Sequence, residues 1–229
     1  MLGRDVLSAA TDAGIEPIAL ARTELDITDR GAVEAAMAEH RPDIVVNCAA
    51  WTDVDGAKRT PYVETDSVGP ASAYGRSKLA GEAAVAEAAP DRHTIVRSSW
   101  LFGAAGPCFP ATILRLASER DQLTVVDDQV GCPTFTGHLA PALVALAKEP
   151  VSGIVHVAGG GQCSWYEFAA EIIARVGLGA TIVPGTTAEL GRPAPRPAYS
   201  VLRSGRAGVP ALAPWQQGLE AFLAAGVPS

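Results

Sequence analysis

The sequence predicts an α/β fold built on a doubly wound parallel sheet, with a small C-terminal lobe. Three observations carry this prediction. Short apolar runs at 17–21, 42–50, 93–100, 123–129 and 153–159 alternate with helical segments, which is typical of βαβ units. The run at 42–50 is a short continuous apolar stretch, as in a strand that is buried on both faces of a parallel sheet. Polar clusters follow several of the runs, at the sheet edge where α/β folds bind ligands.

The helical segments are predicted from apolar periodicity and from capping residues. They are 4–13, ended by Gly14; a helix capped by Thr28 or Asp29 with an apolar stripe of Val33, Ala36 and Met37; about 74–89; 109–119; 138–149, with Pro141 in its first turn; a helix after Ser164, with Glu167 completing a capping box and Gly177 ending it; and a last helix near 215–226. The Pro-rich stretch 184–202 is expected to be irregular.

Composition excludes several classes of protein. The chain has 229 residues, 48% hydrophobic and 19% charged, so a sizeable core is expected. Its net charge of −7 argues against a nucleic-acid-binding or anionic-membrane-binding surface. The four cysteines form no C-x-x-C pair and the four histidines show no metal-ligand spacing, so neither a disulfide framework nor a zinc site is expected. No apolar run has membrane length and no signal-peptide pattern is seen, which favours the cytoplasm.

The stretch YGRSK places Tyr74 and Lys78 four residues apart. On a helix this spacing puts both side chains on one face. An ammonium beside a phenol stabilises the phenolate and lowers the pKa of the phenol from about 10. Such a tyrosine could protonate a carbonyl oxygen while a hydride reaches the carbon. A chance occurrence of two common residues is the alternative, because the motif is short.

A set of longer motifs resembles the dTDP-4-dehydrorhamnose reductase family, an extended short-chain dehydrogenase/reductase group with a Rossmann-type fold. The motifs are LDITD, VVNCAAWTDVD, YGRSKLAGE, VRSSWLFG, VVDDQVGCPTFTGHLA, CSWYEFA and RPAPRPAYSVL, and they span nearly the whole chain. The resemblance implies reduction of the 4-keto group of a dTDP-6-deoxyhexulose with NADPH or NADH, the last step to dTDP-L-rhamnose. It also implies a mainly dinucleotide-binding core at 1–130 and a mainly substrate-binding lobe at 131–229, interleaved with the core.

The resemblance also assigns catalytic and substrate roles. Tyr74 would be the proton donor, and Lys78 would lower its pKa and hold the nicotinamide ribose. Trp100 would lie against the deoxysugar nucleotide, although a core aromatic is the alternative. Contacts to the base and pyrophosphate are expected from Gln129, Thr134 and Arg192. The neighbouring Asp127 and Asp128 are interpreted as a strand-end turn rather than a metal site.

The cofactor-binding residues follow from the same resemblance. Met1, Leu2 and Gly3 match the tail of a glycine-rich turn, and Asp26 and Ile27 match the segment that holds the adenine. The turn Ala50, Trp51 and Thr52 would run along the cofactor.

Arg22 indicates which nicotinamide cofactor is preferred. An NAD site usually offers an acidic residue to the ribose hydroxyls at the end of the second strand. Here Ala21 stands in that position, followed by Arg22, a cation suited to a 2′-phosphate. This favours NADPH; a solvated loop arginine is the alternative.

Two features of the family are missing from these residues. The chain opens at MLGRDV, without a first strand or the earlier glycines, and TDVDGAK runs directly into RTPYVETD between Lys58 and Arg59. In the family a few dozen residues separate those segments and carry an S-T-D-Y-V-F motif, whose hydroxyl orients the substrate carbonyl. A sheet without its first and fourth strands would leave edges unpaired and apolar faces uncovered. We therefore favour mobile segments absent from these 229 residues over a truncated homologue.

Two alternative functions stay open. One is a non-catalytic regulatory homologue of the same fold, which the presence of Tyr74, Lys78 and Trp100 disfavours. The other is a 4-ketoreductase for a different dTDP-deoxysugar, since sugar stereochemistry is read by pocket shape. The expected partner is a dTDP-sugar, with neither nucleic acid nor membrane. A homodimer is possible, and so is a bridging Mg²⁺, whose carboxylate ligands cannot be assigned.

Overall fold

A computed structural model describes residues 1–48, 60–69, 73–191 and 196–226. The helices are α1 (Leu2–Asp12), α2 (Arg30–His40), α3 (Ala73–Ala88), α4 (Phe109–Glu119), α5 (Thr136–Lys148), α6 (Trp165–Val176), α7 (Thr187–Leu190) and α8 (Trp215–Ala224). The strands are β1 (Thr94–Arg97), β2 (Leu101–Phe102), β3 (Gln122–Val126), β4 (Val130–Gly131), β5 (Thr134–Phe135), β6 (Gly153–His156), β7 (Cys163–Ser164) and β8 (Thr181–Gly185).

The described strands pair mainly in parallel. Parallel ladders join β1 to β6, β2 to β5 and β3 to β8. An antiparallel pair joins β4 to β7, with Gly131 opposite Cys163. Parallel ladders connected through helices confirm the predicted α/β class, because parallel strands need a crossover between them.

Local signals place several helices where the sequence predicts them. The Ser164 hydroxyl accepts the Glu167 N–H, and the Glu167 carboxylate accepts the Ser164 N–H, which completes the capping box of α6. Gly177 ends α6 in the left-handed conformation, with φ 72°. Asp29, rather than Thr28, caps α2 by accepting the Ala32 N–H. Each of these bonds joins residues within one turn, so the sequence alone could indicate them.

The main core lies between α4, α6, α8 and the strands β2 and β3. Phe102, Phe168 and Phe222 are fully buried there. Their ring centroids lie 5.4 Å (Phe102 to Phe168) and 5.8 Å (Phe102 to Phe222) apart, in edge-to-face arrangements. Burial of three large aromatic side chains is a major share of the stabilisation of a domain of this size.

A second cluster ties the segment before α3 to the C-terminal region. The Tyr62 N–H donates to the Val201 carbonyl, and the Arg203 N–H donates to the Tyr62 carbonyl. Tyr62, Cys132, Tyr199 and Leu202 are buried together. Residues 60–69 are therefore held by contacts to residues more than a hundred positions away.

The predicted strands at 17–21 and 42–50 are wrong for the residues described. Residues 15–20 and 44–48 form neither helix nor strand and pair with no described strand. Ile18 and Val45 are each 60% exposed, and the stripe on α2 is not buried, since Met37 is 36% exposed. A strand stays buried only when neighbours cover both its edges and its faces. No described strand lies beside either of these two runs. Ala49 and Ala50 lie outside the described residues.

Three smaller expectations are also corrected. β8 runs into the start of the stretch interpreted as irregular, where Pro184 and Gly185 pair in register with Val125 and Val126. A short helix, α7, follows it. α5 begins at Thr136, two residues before the predicted start, so Pro141 lies inside the helix rather than in its first turn.

Candidate active site

Helix α3 carries the predicted catalytic pair. Its range, Ala73–Ala88, confirms the predicted helix and places Tyr74 in the first turn and Lys78 one turn later. The four-residue spacing therefore puts both positions on one face of a real helix. The Tyr74 side chain lies outside the described part of the structure.

A buried ion pair fixes α3 against the sheet. The Arg97 Nε lies 2.8 Å from Glu82 Oε1, and the Arg97 Nη2 lies 2.5 Å from Glu82 Oε2. The two side chains are only 10% and 19% exposed. Glu82 stands one turn after Lys78, and Arg97 ends β1. A two-point guanidinium–carboxylate contact is directional, so this pair sets the rotation of α3 and hence the face on which Tyr74 and Lys78 stand.

Trp100 has a backbone conformation that bulky residues rarely adopt. It lies directly before β2 with φ +47°, which costs about 1–2 kcal/mol for a residue with a Cβ. The Thr134 N–H donates to the Trp100 carbonyl at 3.1 Å. Its indole stacks on that of Trp165, with ring centroids 3.6 Å apart and planes within 8°. Strained residues of this kind cluster at ligand-binding sites.

The side chains of Thr134 and Gln129 are buried and already hydrogen-bonded within the protein. Thr134 is fully buried, and its hydroxyl donates to the Cys132 carbonyl and accepts the Gly159 N–H. With no exposed surface, Thr134 supports the Trp100 backbone instead, which corrects the expected direct contact. Gln129 is 6% exposed, and its Nε2 donates to the Thr187 hydroxyl at 2.9 Å.

Asp127 and Asp128 hold helix starts. Asp127 accepts the Ser164 hydroxyl at 2.5 Å, at the N-terminus of α6. Asp128 accepts both the N–H and the hydroxyl of Thr187, at the N-terminus of α7. This supports the interpretation of the pair as a strand-end turn. Among the described residues no group of three or more His, Cys, Asp or Glu side chains is placed to hold a metal ion.

The predicted cofactor-binding residues Met1, Leu2 and Gly3 form the start of α1. A Cβ added at Gly3 would be 3.7 Å from the Cβ of Cys48, so the first turn of α1 lies beside the end of the 43–48 segment. A helix N-terminus at the end of an extended segment is where dinucleotide folds bind a pyrophosphate. Met1 and Leu2 are half-buried in this turn. These residues fit the pyrophosphate part of a dinucleotide.

The residues predicted to hold the adenine, Asp26 and Ile27, are exposed to solvent. The Asp26 carboxylate accepts the N–H and the hydroxyl of Thr28 at 2.9 and 2.7 Å. These bonds hold the pKa of Asp26 below its ordinary value, and the Arg22 guanidinium adds to the effect. Ile27 is 55% exposed. An exposed cation beside an exposed apolar side chain fits a phosphorylated adenosine, because the first can pair with phosphate and the second can contact the base.

Two titrating groups hold the segment before α3. Burial raises the pKa of the Glu64 carboxyl, but hydrogen bonds from the Gly205 N–H, the Ser204 hydroxyl and the His156 N–H outweigh it and lower the pKa to about 2. Burial lowers the pKa of His156, whose Nδ1 lies 3.1 Å from the Tyr62 carbonyl oxygen. An ionised Glu64 and a neutral His156 are therefore the native forms near neutral pH.

The remaining predicted site residues are Ala50, Trp51, Thr52 and Arg192, and they lie outside the described residues. No described helix is long and apolar enough to cross a bilayer.

The sequence interpretation missed four residues of this site. Glu82 belongs to the YGRSKLAGE motif, and its spacing from Lys78 was the available signal. Its partner Arg97 belongs to the VRSSWLFG motif, but nothing in the sequence indicates that the two residues meet. Trp165 and Gly131 contact Trp100 only through the tertiary structure. Helix spacing predicts neighbours on one helix, whereas contacts between distant segments leave no local pattern.

Comparison with known proteins identifies the family. The family model described as the RmlD substrate binding domain matches residues 1–59 and 54–227. The dTDP-4-dehydrorhamnose reductase of Streptomyces griseus is 38% identical, over 98% of this chain and 90% of that protein. A probable dTDP-4,6-dihydroxy-2-methyloxan-3-one 4-ketoreductase of Streptomyces antibioticus is 37% identical, over 97% and 91%. The crystal structure of dTDP-4-dehydrorhamnose reductase from Bacillus anthracis in complex with NADP is 29% identical, with a TM-score of 0.92, over 98% of this chain and 95% of that one.

The same comparisons bear on the internal gap. The two matches to the family model meet and overlap at residues 54–59, around the predicted junction. The alignment with the S. griseus protein runs over 275 residues and includes 98% of the 229 residues of this chain, so about 50 aligned positions have no counterpart here. The relative thus has a few dozen residues that this sequence does not. The match nonetheless extends over nearly the whole chain, so the chain belongs to the dTDP-4-dehydrorhamnose reductase family.

Proposed function

We propose that this chain reduces the 4-keto group of a dTDP-4-keto-6-deoxyhexose with NADPH, converting dTDP-4-dehydrorhamnose to dTDP-L-rhamnose. The observation that carries the proposal is the 38% identity to the S. griseus reductase along 98% of the chain. The helical positions of Tyr74 and Lys78 support it, because a non-catalytic binding protein has no need of a phenol and an ammonium at this spacing.

The chain's own residues manage the proton. When bound, the reduced nicotinamide supplies a hydride to C4 of the sugar. Tyr74 donates its phenolic proton to the carbonyl oxygen, so that the new alcohol is neutral. The Lys78 ammonium, one turn along the same face, stabilises the phenolate that remains. The Glu82–Arg97 pair keeps this face of α3 in a fixed rotation against β1.

The preference for NADPH rests on Arg22. Its side chain is exposed at the edge where Asp26 and Ile27 fit an adenosine. A guanidinium can bind a 2′-phosphate through paired hydrogen bonds, which a ribose hydroxyl cannot match. The NADP bound in the B. anthracis relative supports the same assignment.

A second sugar substrate has support of its own. The S. antibioticus relative, named for a different dTDP-sugar, is 37% identical, almost as similar as the S. griseus reductase. The reaction type is the same in this second candidate, and only the pocket that reads the sugar differs.

Replacement of Tyr74 by Phe tests the reaction. The purified chain is assayed with dTDP-4-dehydrorhamnose and with other dTDP-4-keto-6-deoxyhexoses, each with NADPH and with NADH, by loss of absorbance at 340 nm. We expect Tyr74→Phe to lower kcat about 10²–10⁴-fold, the usual contribution of a general acid. Binding of dTDP should be unchanged, since the phenolic oxygen acts on the carbonyl.

Tyr166→Phe is the matched control, because it removes a phenolic oxygen from α6, and it should leave kcat within about twofold. An active Tyr74→Phe variant would contradict the proposed role. A wild-type chain that binds dTDP but reduces none of the sugars would establish the non-catalytic alternative.

A further inference from the structure

Both faces of the Trp100 indole are covered. On one side lies the Trp165 indole, with centroids 3.6 Å apart and planes within 8°. On the other lies the backbone of Gly131. A Cβ added there would be 2.3, 2.6 and 2.7 Å from the Trp100 atoms Cε2, Nε1 and Cδ2. Similar distances to three atoms of the five-membered ring place that point over the ring face.

The two covering groups must lie on opposite faces. Two rings 3.6 Å apart and nearly parallel are already in van der Waals contact, so no backbone atom fits between them. The half-buried Trp100 side chain therefore meets solvent, and any ligand, at its rim.

One small structural unit supplies both covering groups. Gly131 belongs to β4, which pairs antiparallel with β7, and Trp165 directly follows β7 as the first residue of α6. The Asp127–Ser164 hydrogen bond and the capping box fix the start of α6. Behind Trp165 lies Phe109, with ring centroids 4.4 Å apart, and this ring in turn stacks on the buried Phe168. The stack thus connects Trp100 to the core.

We propose that Trp165 is a positioning residue that fixes Trp100, in its left-handed backbone conformation, as the aromatic wall of the sugar-nucleotide site. The inference rests on the proposed function for the identity of the ligand. Without the second indole, one face of the Trp100 ring is uncovered, and only the Thr134 hydrogen bond to the Trp100 carbonyl still holds the left-handed backbone, so the ring can move away from Gly131. Gly131 contributes to the same arrangement, because any side chain at this position would occupy the volume of the Trp100 ring.

Fluorine NMR of the full chain labelled with 5-fluorotryptophan tests this inference. The chain has four tryptophans, and loss of one resonance in Trp100→Phe assigns the Trp100 signal. The probe ligand is dTDP. We expect one narrow Trp100 resonance in the wild type, which moves when dTDP binds.

The variants test whether the Trp165 ring is needed to hold Trp100 in place. Trp165→Ala should broaden or split the Trp100 resonance and raise the Kd for dTDP about tenfold, equivalent to about 1.4 kcal/mol. Trp165→Phe keeps an aromatic partner, so it should retain a narrow line and a Kd within about threefold. Gly131→Ala should reproduce the effect of Trp165→Ala although Trp165 is intact. Trp215→Phe, the same substitution in the core beside Phe168, should leave the Trp100 resonance and the Kd unchanged.

Two other outcomes would contradict this inference, and a third would contradict the proposed function. A Trp100 resonance that stays single and narrow in Trp165→Ala would overturn the positioning role, whatever the affinity. A broadened resonance with unchanged affinity would show that Trp100 is not the wall of the site. If dTDP fails to bind the wild type, the proposed function fails, while the line widths of the variants still decide whether Trp165 positions Trp100.

Discussion

Two apolar runs of this chain look alike in sequence and differ completely in structure. IVV at 44–46 and IVHV at 154–157 are both short, β-branched and predicted as buried parallel strands. Val155 and Val157 are 0% and 1% exposed, whereas Val45 and Val46 are 60% and 44% exposed. The second run pairs with β1 and packs under α5, while no described strand pairs with the first. An apolar strand is thus stabilised by its neighbours and not by its own composition.

The same contrast applies to ion pairs. Arg97 and Glu82 form a two-point contact between α3 and β1, mostly shielded from water. Arg30 and Glu34 on α2 form a contact of similar length, 2.8 Å, but their side chains are 92% and 65% exposed. The bond lengths are similar, but only the Arg97–Glu82 pair has two contacts and is shielded from water, so the contributions of the two pairs to stability should differ strongly.

The largest expected effect breaks the buried pair. Arg97→Met leaves the Glu82 carboxylate without its cation, and we expect it to lower the free energy of unfolding by about 3 kcal/mol. The matched Arg30→Met should change it by less than about 0.5 kcal/mol. Urea unfolding followed by circular dichroism measures both. Equal losses from the two variants would mean that α3 is not anchored through Arg97.

A smaller effect compares the two apolar runs directly. Val155→Ala removes two methyl groups from a packed core, and we expect a loss of about 2 kcal/mol. Val45→Ala removes them from an exposed position and should cost less than about 0.5 kcal/mol. The same urea titrations apply. A comparable cost at Val45 would show that residues 43–48 are covered in solution.

The smallest effect concerns Glu64, which links the segment before α3 to the C-terminal region. Its pKa in the folded chain, about 2, lies below the ordinary 4.5. The carboxylate therefore contributes stability above pH 4.5, and that contribution is lost as the pH falls towards 2. After allowance for solvent screening we expect Glu64→Gln to cost about 1–2 kcal/mol at pH 7.

The pH series isolates this contribution. The difference between wild type and Glu64→Gln should shrink between pH 5 and pH 2, and Glu39→Gln, an exposed carboxylate on α2, should show no such trend. A difference that is constant over this range would mean that Glu64 acts through its shape rather than its charge.

Much of the site could be predicted because it is local. The four-residue spacing of Tyr74 and Lys78 needs only that a helix form, and α3 does form over the predicted residues. The cap of α6 needs only Ser164, Glu167 and Gly177, which contact their own turn. The motif set identified the family, and the comparisons confirm that identification.

The residues that were misassigned depend on distant parts of the chain. Thr134 looked like a ligand contact, yet its hydroxyl is used by Cys132 and Gly159 inside the core. The run at 43–48 looked like a buried strand, yet no described strand lies along its edges. Neither outcome follows from nearby residues.

The sequence by itself determined the helices other than α7 and the face that Tyr74 and Lys78 share, because hydrogen bonds within a few residues define them. It also indicated the α/β class, through the alternation of apolar runs with helical segments. Only the tertiary structure decided which apolar runs are buried, that Arg97 meets Glu82, and that Gly131 and Trp165 enclose Trp100. Those contacts join residues from 15 to 65 positions apart, and they form only when separate strands and helices pack together.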